Sequence, residues 1–154
     1  MTKIWKNSLG MEFNLEEVIS ILNKFPNAQI HIGTDSHFKT GNLIYASVIA
    51  IYQPGECAKY FFKRTKNNSK KINVPLKSRL MKEVQDSIEI ANAVRDLTHS
   101  SRKIFVHADV SENKKNKSNV VCDQVKNWIY GMGFEYKLKP ISWASSSIAD
   151  LHAK

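Results

Sequence analysis

Two carboxylates stand where strands are expected to end. Asp35 follows the run Ala28-Gln29-Ile30-His31-Ile32, which reads as buried strand, and lies within "HIGTDSHFKTGN", residues 31–42. Asp109 follows a second such run, Lys103-Ile104-Phe105-Val106-His107-Ala108. An unpaired carboxylate is costly to bury unless it is protonated, paired or bound to a metal. If the two strands are parallel neighbours, the acids sit side by side and repel. One then stays protonated unless a cation lies between them. A hard divalent ion such as Mg²⁺ suits the pair, because it takes oxygen ligands and keeps several waters.

Further acids should converge on such a centre. A long helix expected from about Lys77 to Leu97 carries Glu83, Asp86 and Glu89, with Leu80, Val84, Ile88, Ala91 and Val94 as its buried face. From the helical turn angle, Glu83 lies roughly 90° from the centre of that stripe and the other two roughly 150° away. Glu83 alone borders the buried face and is the third candidate ligand; an exposed helical Glu is the ordinary alternative. Asp150 sits between Ile148 and Leu151 with Lys154 four residues on, so an i,i+4 ion pair is its ordinary reading. It gains weight only beside the other three acids.

His37 is two residues after Asp35 and His107 two before Asp109, so both imidazoles share a strand face with an acid. Either could support the site through a hydrogen bond or carry protons, although a lone His is more often a packing or surface residue. His152 points away from Asp150 at helical spacing, and His31 and His99 have no such case. Trp143 could stack on a base or sugar, with core packing the alternative. Ser145, Ser146 and Ser147 could cap the last helix.

The elements that must position these groups are legible in outline. Asn14 and Glu17 resemble a capping box, and Leu15, Val18, Ile19, Leu22 and Phe25 follow helical spacing until Pro26-Asn27. Strands are expected over 29–35, 43–52 and 58–65, joined by turns at Gly41-Asn42 and Pro54-Gly55. After the long helix come a strand over 103–108, a helix over 118–132, a strand over 134–139 and a last helix starting near Ser145 or Ser146. The order β-β-β-α-β-α-β-α predicts an α/β fold with a mixed sheet covered by helices. Ligands collect in such sheets at strand C-terminal ends, where strand order reverses. Residues 1–27 read as a helical preface to a domain over 28–154.

Bulk properties narrow the class. The chain has 154 residues, 42% of them hydrophobic, which suits one globular domain. It shows no bilayer-length apolar run and no signal-like start, so a cytoplasmic location is expected. Cys57 and Cys122 fit neither metal spacing nor a disulfide framework and read as reduced thiols. The net charge of +9 favours a polyanionic partner, nucleic acid above all, against simple solubility. Its clusters, Lys63-Arg64-Thr65-Lys66 running on to Lys70-Lys71, and Glu112 to Lys117, read as loops. Lys114, Lys115 and Lys117 follow the Asp109 strand and are the first candidates for phosphate contacts. Lys70, Lys71, Lys77 and Arg79, leading into the Glu83 helix, are the second.

Four acids in the order Asp, Glu, Asp, Asp, on first strand, long helix, fourth strand and last helix, form a known arrangement. The stretches "IGTDSH" (32–37), "RLMKEVQDSIEIA" (79–91), "HADVS" with "NKSN" (107–111 and 116–119) and "KPISWASSSIAD" (139–150) carry the likeness. On these the chain resembles the ribonuclease H-like superfamily, and more narrowly the little-characterised bacterial YkuK-type proteins. The resemblance implies a five-stranded mixed sheet flanked by helices. It implies two Mg²⁺ or Mn²⁺ ions held by Asp35, Glu83, Asp109 and Asp150, with Asp35 bridging both. It also implies hydrolysis of phosphodiester bonds, in the RNA of an RNA–DNA hybrid or in structured DNA or RNA. Two ions about 3.5–4 Å apart serve both the attacking and the leaving oxygen. No convincing Ser-His-Asp or Cys-His set competes. One rival is a nucleic-acid-binding protein of the same fold with little turnover. The other, an actin-like kinase, is disfavoured by the short chain and the scarcity of Gly after Asp35.

Overall fold

The computed structural model describes residues 2–67, 74–98 and 102–154. In chain order these form β1 (Trp5–Lys6), β2 (Glu12–Phe13), α1 (Leu15–Asn23), β3 (Gln29–Lys39), β4 (Asn42–Gln53), β5 (Cys57–Asn67) and α2 (Leu76–Thr98). There follow β6 (Ile104–His107), a 3₁₀ turn (Lys117–Val121), α3 (Cys122–Gly131), β7 (Glu135–Lys137), a π-helical turn (Ala144–Ala149) and α4 (Asp150–Ala153). The fold is α/β: one mixed sheet, ordered β2-β1-β5-β4-β3-β6-β7, flanked by helices. It has seven strands rather than the five expected. The additional two, β1 and β2, are two-residue pairings in the N-terminal segment, too short to carry a periodic signal. Trp5 and α1 join the same core as β3, and both bonds of the Asn14–Glu17 capping box are made. No described helix is long and apolar enough to cross a membrane.

Helices cover both faces of β3, which explains its nearly unbroken burial. Ile30, Ile32, Thr34 and Ser36 face α2. The Thr34 hydroxyl bonds to Ser87 (2.7 Å) and Ser47 (2.9 Å), and Ser36 bonds to Glu83. His31, Gly33 and Asp35 face the π-helical turn and α4. Gly33 is required there: a Cβ would lie 2.7 Å from the Ser145 amide nitrogen and 2.8 Å from the Ala144 carbonyl carbon. Gly33→Ala must therefore move backbone. It is expected to cost about 1–3 kcal/mol in urea unfolding, the scale of overpacked cores.

Two expectations about β-structure change. The β3–β4 turn is Thr40-Gly41, both with positive φ (50° and 78°), and Asn42 already pairs with Lys39. That two-residue geometry matches the strand twist. Lys63 to Lys66 do not form the loop that their charge suggests but continue the strand expected over 58–65. They lie in β5, paired with β4 from Ser47 to Ile44.

Candidate functional site

Asp35 does not end β3; it marks where β3 parts from its parallel partner. The β3–β6 ladder stops at Gly33↔His107, while β3 runs on to Lys39 beside β4 alone. Asp35 is two residues past Gly33 and Asp109 two past His107, so the parting strands leave both acids at the same end of the ladder. The π-helical turn, packed against Gly33, brings Asp150 from α4 up to Asp35, close enough for a protonated carboxyl of one to donate to the other. From the opposite face, α2 supplies Glu83, only 6% exposed, which accepts a 2.5 Å bond from the Ser36 hydroxyl. Ser36 is in turn held by Arg79, whose Nε reaches its hydroxyl (3.3 Å) and whose terminal nitrogen donates to its carbonyl (3.1 Å).

The acids perturb one another. Burial pushes the Asp35 carboxyl up to about 7, aided by its bond to Asp150 and by the charges of Asp109 and Asp150, against a bond from the Ser36 backbone. Burial likewise lifts Glu83 to about 8, with the charges of Asp35 and Asp109 adding to it. The Ser36 hydroxyl and Arg79 oppose that rise. Burial acts upward on Asp150 too, but Lys154, the Asp35 bond and His37 together draw it below its ordinary value. Asp35 thus feels Asp109 and Asp150, and Glu83 feels Asp35 and Asp109.

Two of the acids are paired with lysines of the protein itself. Lys154 Nζ lies 2.9 Å from Asp150 Oδ2, and Lys139 Nζ lies 3.5 Å from Asp109 Oδ1. That Asp109 oxygen is buried and accepts no hydrogen bond. A buried anionic oxygen without a donor fits a cation ligand, and the set as a whole is hard oxygen, suited to Mg²⁺ or Mn²⁺. Among the described residues, no three His, Cys, Asp or Glu groups already stand in an ion-holding arrangement. The strand expected over 134–139 stops at Lys137, and Lys139, read as its last residue, lies instead in the turn that sets it on Asp109.

The histidines divide. His37 is exposed, and its charge reaches Asp150. His107 is buried at 1% exposure and points under the π-helical turn. Its Nδ1 accepts the Ala144 amide (3.1 Å), so its Nε2 carries the proton that faces His31 Nδ1 at 2.8 Å. His31 Nε2 then donates to the Gln29 side chain at 2.9 Å. His31, which has no case from spacing, thus completes a chain anchoring the turn that leads to Asp150. Phe105 stacks on His31, and Trp143 packs between His31, His107 and Tyr52, which is core packing. His152 bonds to the Tyr60 hydroxyl and stacks on Phe62, away from the acids as expected. The serines do not cap: Ser145 donates to the His107 carbonyl and Ser146 to that of Ser142.

Burial keeps both histidines neutral, drawing His31 from 6.5 down to about 4 and His107 down to about 3. Lowered folded values mean stability that is full above pH 6.5 and lost as pH falls through 4. His31→Phe, which keeps the ring stack, is expected to flatten this acid limb of a urea-unfolding pH series. An unchanged limb would remove the pair as its cause.

Of the candidate phosphate contacts, Lys114, Lys115 and Lys117 are exposed on the segment that begins at Asp109, folded by Ser111, Asn113 and Asn116 side-chain turns. Lys77 is exposed at the start of α2, and Arg79 is held at Ser36 with its guanidinium over Phe38. Lys70 and Lys71 lie outside the described residues.

A mixed sheet whose central strand gathers acids from two helices and a parallel neighbour defines an α/β protein of nuclease-type fold. The family model for Ribonuclease H-like proteins matches residues 14–154, and the chain belongs to that family. A comparison with curated proteins gave no match.

Proposed function

We propose that the protein is a metal-dependent nuclease of the YkuK type that hydrolyses phosphodiester bonds in RNA–DNA hybrid or structured nucleic acid. The observation that carries this reading is that Asp35 and Asp109 leave the β3–β6 ladder at the same end, with Glu83 bonded to Ser36 beside them and Asp150 brought up to Asp35 by α4. Asp35, Glu83, Asp109 and Asp150 would hold two Mg²⁺ or Mn²⁺ ions, which supply an activated water and charge stabilisation at the scissile phosphate. Ser36 and Arg79 orient Glu83. The His31–His107 chain sets the turn that presents Asp150. Lys139 and Lys154 are positioned to pass from carboxylate to phosphate as substrate arrives, and the lysines after Asp109 hold the nucleic-acid backbone.

The second reading is a nucleic-acid-binding protein with little turnover, favoured by the Lys139 and Lys154 pairs that already balance two of the acids. One panel separates them. Single strands, duplexes, a hybrid and a four-way junction are incubated with Mg²⁺ or Mn²⁺ beside Asp35→Asn and Asp109→Asn. Metal-dependent cleavage lost in both variants is the expected result. Absence of cleavage across the panel leaves the binding reading.

A further inference from the structure

The positive charge of this chain is concentrated in one stretch. Residues 36–82 contain ten Lys and Arg and a single acid, Glu56, which gives that stretch an excess equal to the whole chain's +9. Glu56 lies in the β4–β5 turn, at the opposite end of the sheet from Asp35. The ladder fixes which side these cations occupy. Asp35 pairs with Ala46 and Ala46 with Arg64; His37 pairs with Ile44 and Ile44 with Lys66; Lys39 pairs with Asn42. Side chains directly opposite in a sheet share a face, and so do alternate residues of a strand. Arg64, Lys66, Lys39 and His37 therefore stand on the Asp35 face, beyond the point where β6 ends. With strands about 4.8 Å apart, the Arg64 backbone is about 10 Å from that of Asp35.

This face holds a cleft of about 320 Å³ lined by Lys39, Thr40, Asn42, Arg64, Thr65 and Lys66. No carboxylate borders it. Its cations are exposed, and the Thr40 hydroxyl and Asn42 amide are polar groups at the same rim. The end of α4 reaches the same side: Lys154 is on Asp150, and His152 feels the Arg64 charge. An acid-free cationic surface continuous with an acidic centre is suited to a strand of phosphates whose scissile bond lies at the acids.

We infer that the backbone of the bound nucleic acid leaves the acidic centre along the β3–β4–β5 ribbon, held by Lys39, Arg64 and Lys66. This rests on the nucleic-acid reading above, but not on catalysis. The contacts are to phosphate, so they add affinity without sequence preference.

The test measures binding of a labelled RNA–DNA hybrid, duplex and single strand by anisotropy in EDTA, across a salt series. Lys39→Ala/Arg64→Ala/Lys66→Ala is compared with Lys24→Ala/Lys59→Ala/Lys103→Ala, which removes equal charge from the other end of the sheet. Three lost phosphate contacts lower the log–log salt slope by about 2–3. The ribbon variant is expected to show that drop and at least a tenfold weaker Kd, and the control less than a twofold change. Equal losses in both variants, no loss in either, or no binding by the wild type overturns the inference. Should the ribbon variant fold poorly, protection of Lys39 and Lys66 from acetylation by bound hybrid in the wild type decides it: protection supports the track, full reactivity overturns it. Binding with the expected losses but no cleavage in Mg²⁺ or Mn²⁺ removes the nuclease reading and leaves the track standing.

Discussion

Asp35→Asn is expected to make the metal-free protein more stable at pH 8 while removing metal-dependent cleavage. The Asp35 carboxyl rises from 3.8 to about 7 in the folded protein. A raised folded value means that the native state holds a proton the unfolded chain has released. Its stabilising effect is full below pH 4 and is lost as pH rises through 7. Asn carries no charge to desolvate, and its amide donates to Asp150 in place of the acid proton. After allowance for the opposite shift at Asp150, a gain of about 1–3 kcal/mol over wild type is expected at pH 8, shrinking as pH falls and vanishing near pH 4. Urea unfolding at the two pH values reads it directly. Cleavage should fall at least about 100-fold, the scale on which even groups behind metal ligands act. A variant less stable than wild type at pH 8 would remove the premise that ionised acids strain the fold.

Divalent metal is expected to reverse the same strain. Glu83 rises from 4.5 to about 8, so it also destabilises the metal-free protein as pH climbs towards 8. Below 6.5 the buried histidines oppose the trend; above it the acids act alone. The melting temperature without metal should therefore fall between pH 6.5 and 8.5. An ion that binds only the folded chain stabilises it by about 2.7 kcal/mol at 100 times its Kd. Mg²⁺ or Mn²⁺ should raise the melting temperature more at pH 8 than at pH 6, because at pH 6 the ion must first displace protons. Titration calorimetry in buffers of different ionisation enthalpy should show about one to two protons released near pH 7. A melting temperature indifferent to metal at both pH values would end the proposal of an ion at these acids.

The sequence exposes the parts of this arrangement that repeat or alternate. The three long strands and α2 follow from apolar spacing and turn residues, which also mark Asp35 and Asp109 at strand ends and Glu83 as the one acid of α2 at the edge of the apolar stripe, whereas Asp150 reads alone as an ion pair with Lys154. The parts that depend on a neighbour far along the chain are not legible. β1 and β2 exist because Lys6 meets Phe62 across the sheet edge. His31 lies in a strand covered on both sides, where no alternation marks it as a partner for a residue 76 positions away. Lys139 is one lysine among many until the fold sets it on Asp109. At Lys63 to Lys66 two signals conflict: charge density suggests a loop while the strand pattern over 58–65 runs into the same residues, and pairing with β4 settles it for the strand.

The turn before Asp150 is wound with i→i+5 bonds, so it holds about one residue more than an α-helical turn would. Removing one residue between Ala144 and Ala149 would let it relax to ordinary winding and swing the following side chain by about 100°. The last carboxylate is thus aimed by a count of residues as well as by their chemistry. A deletion that spares every named group should still disarm this corner of the protein, whereas exchange of the exposed Ser147 should pass almost unnoticed.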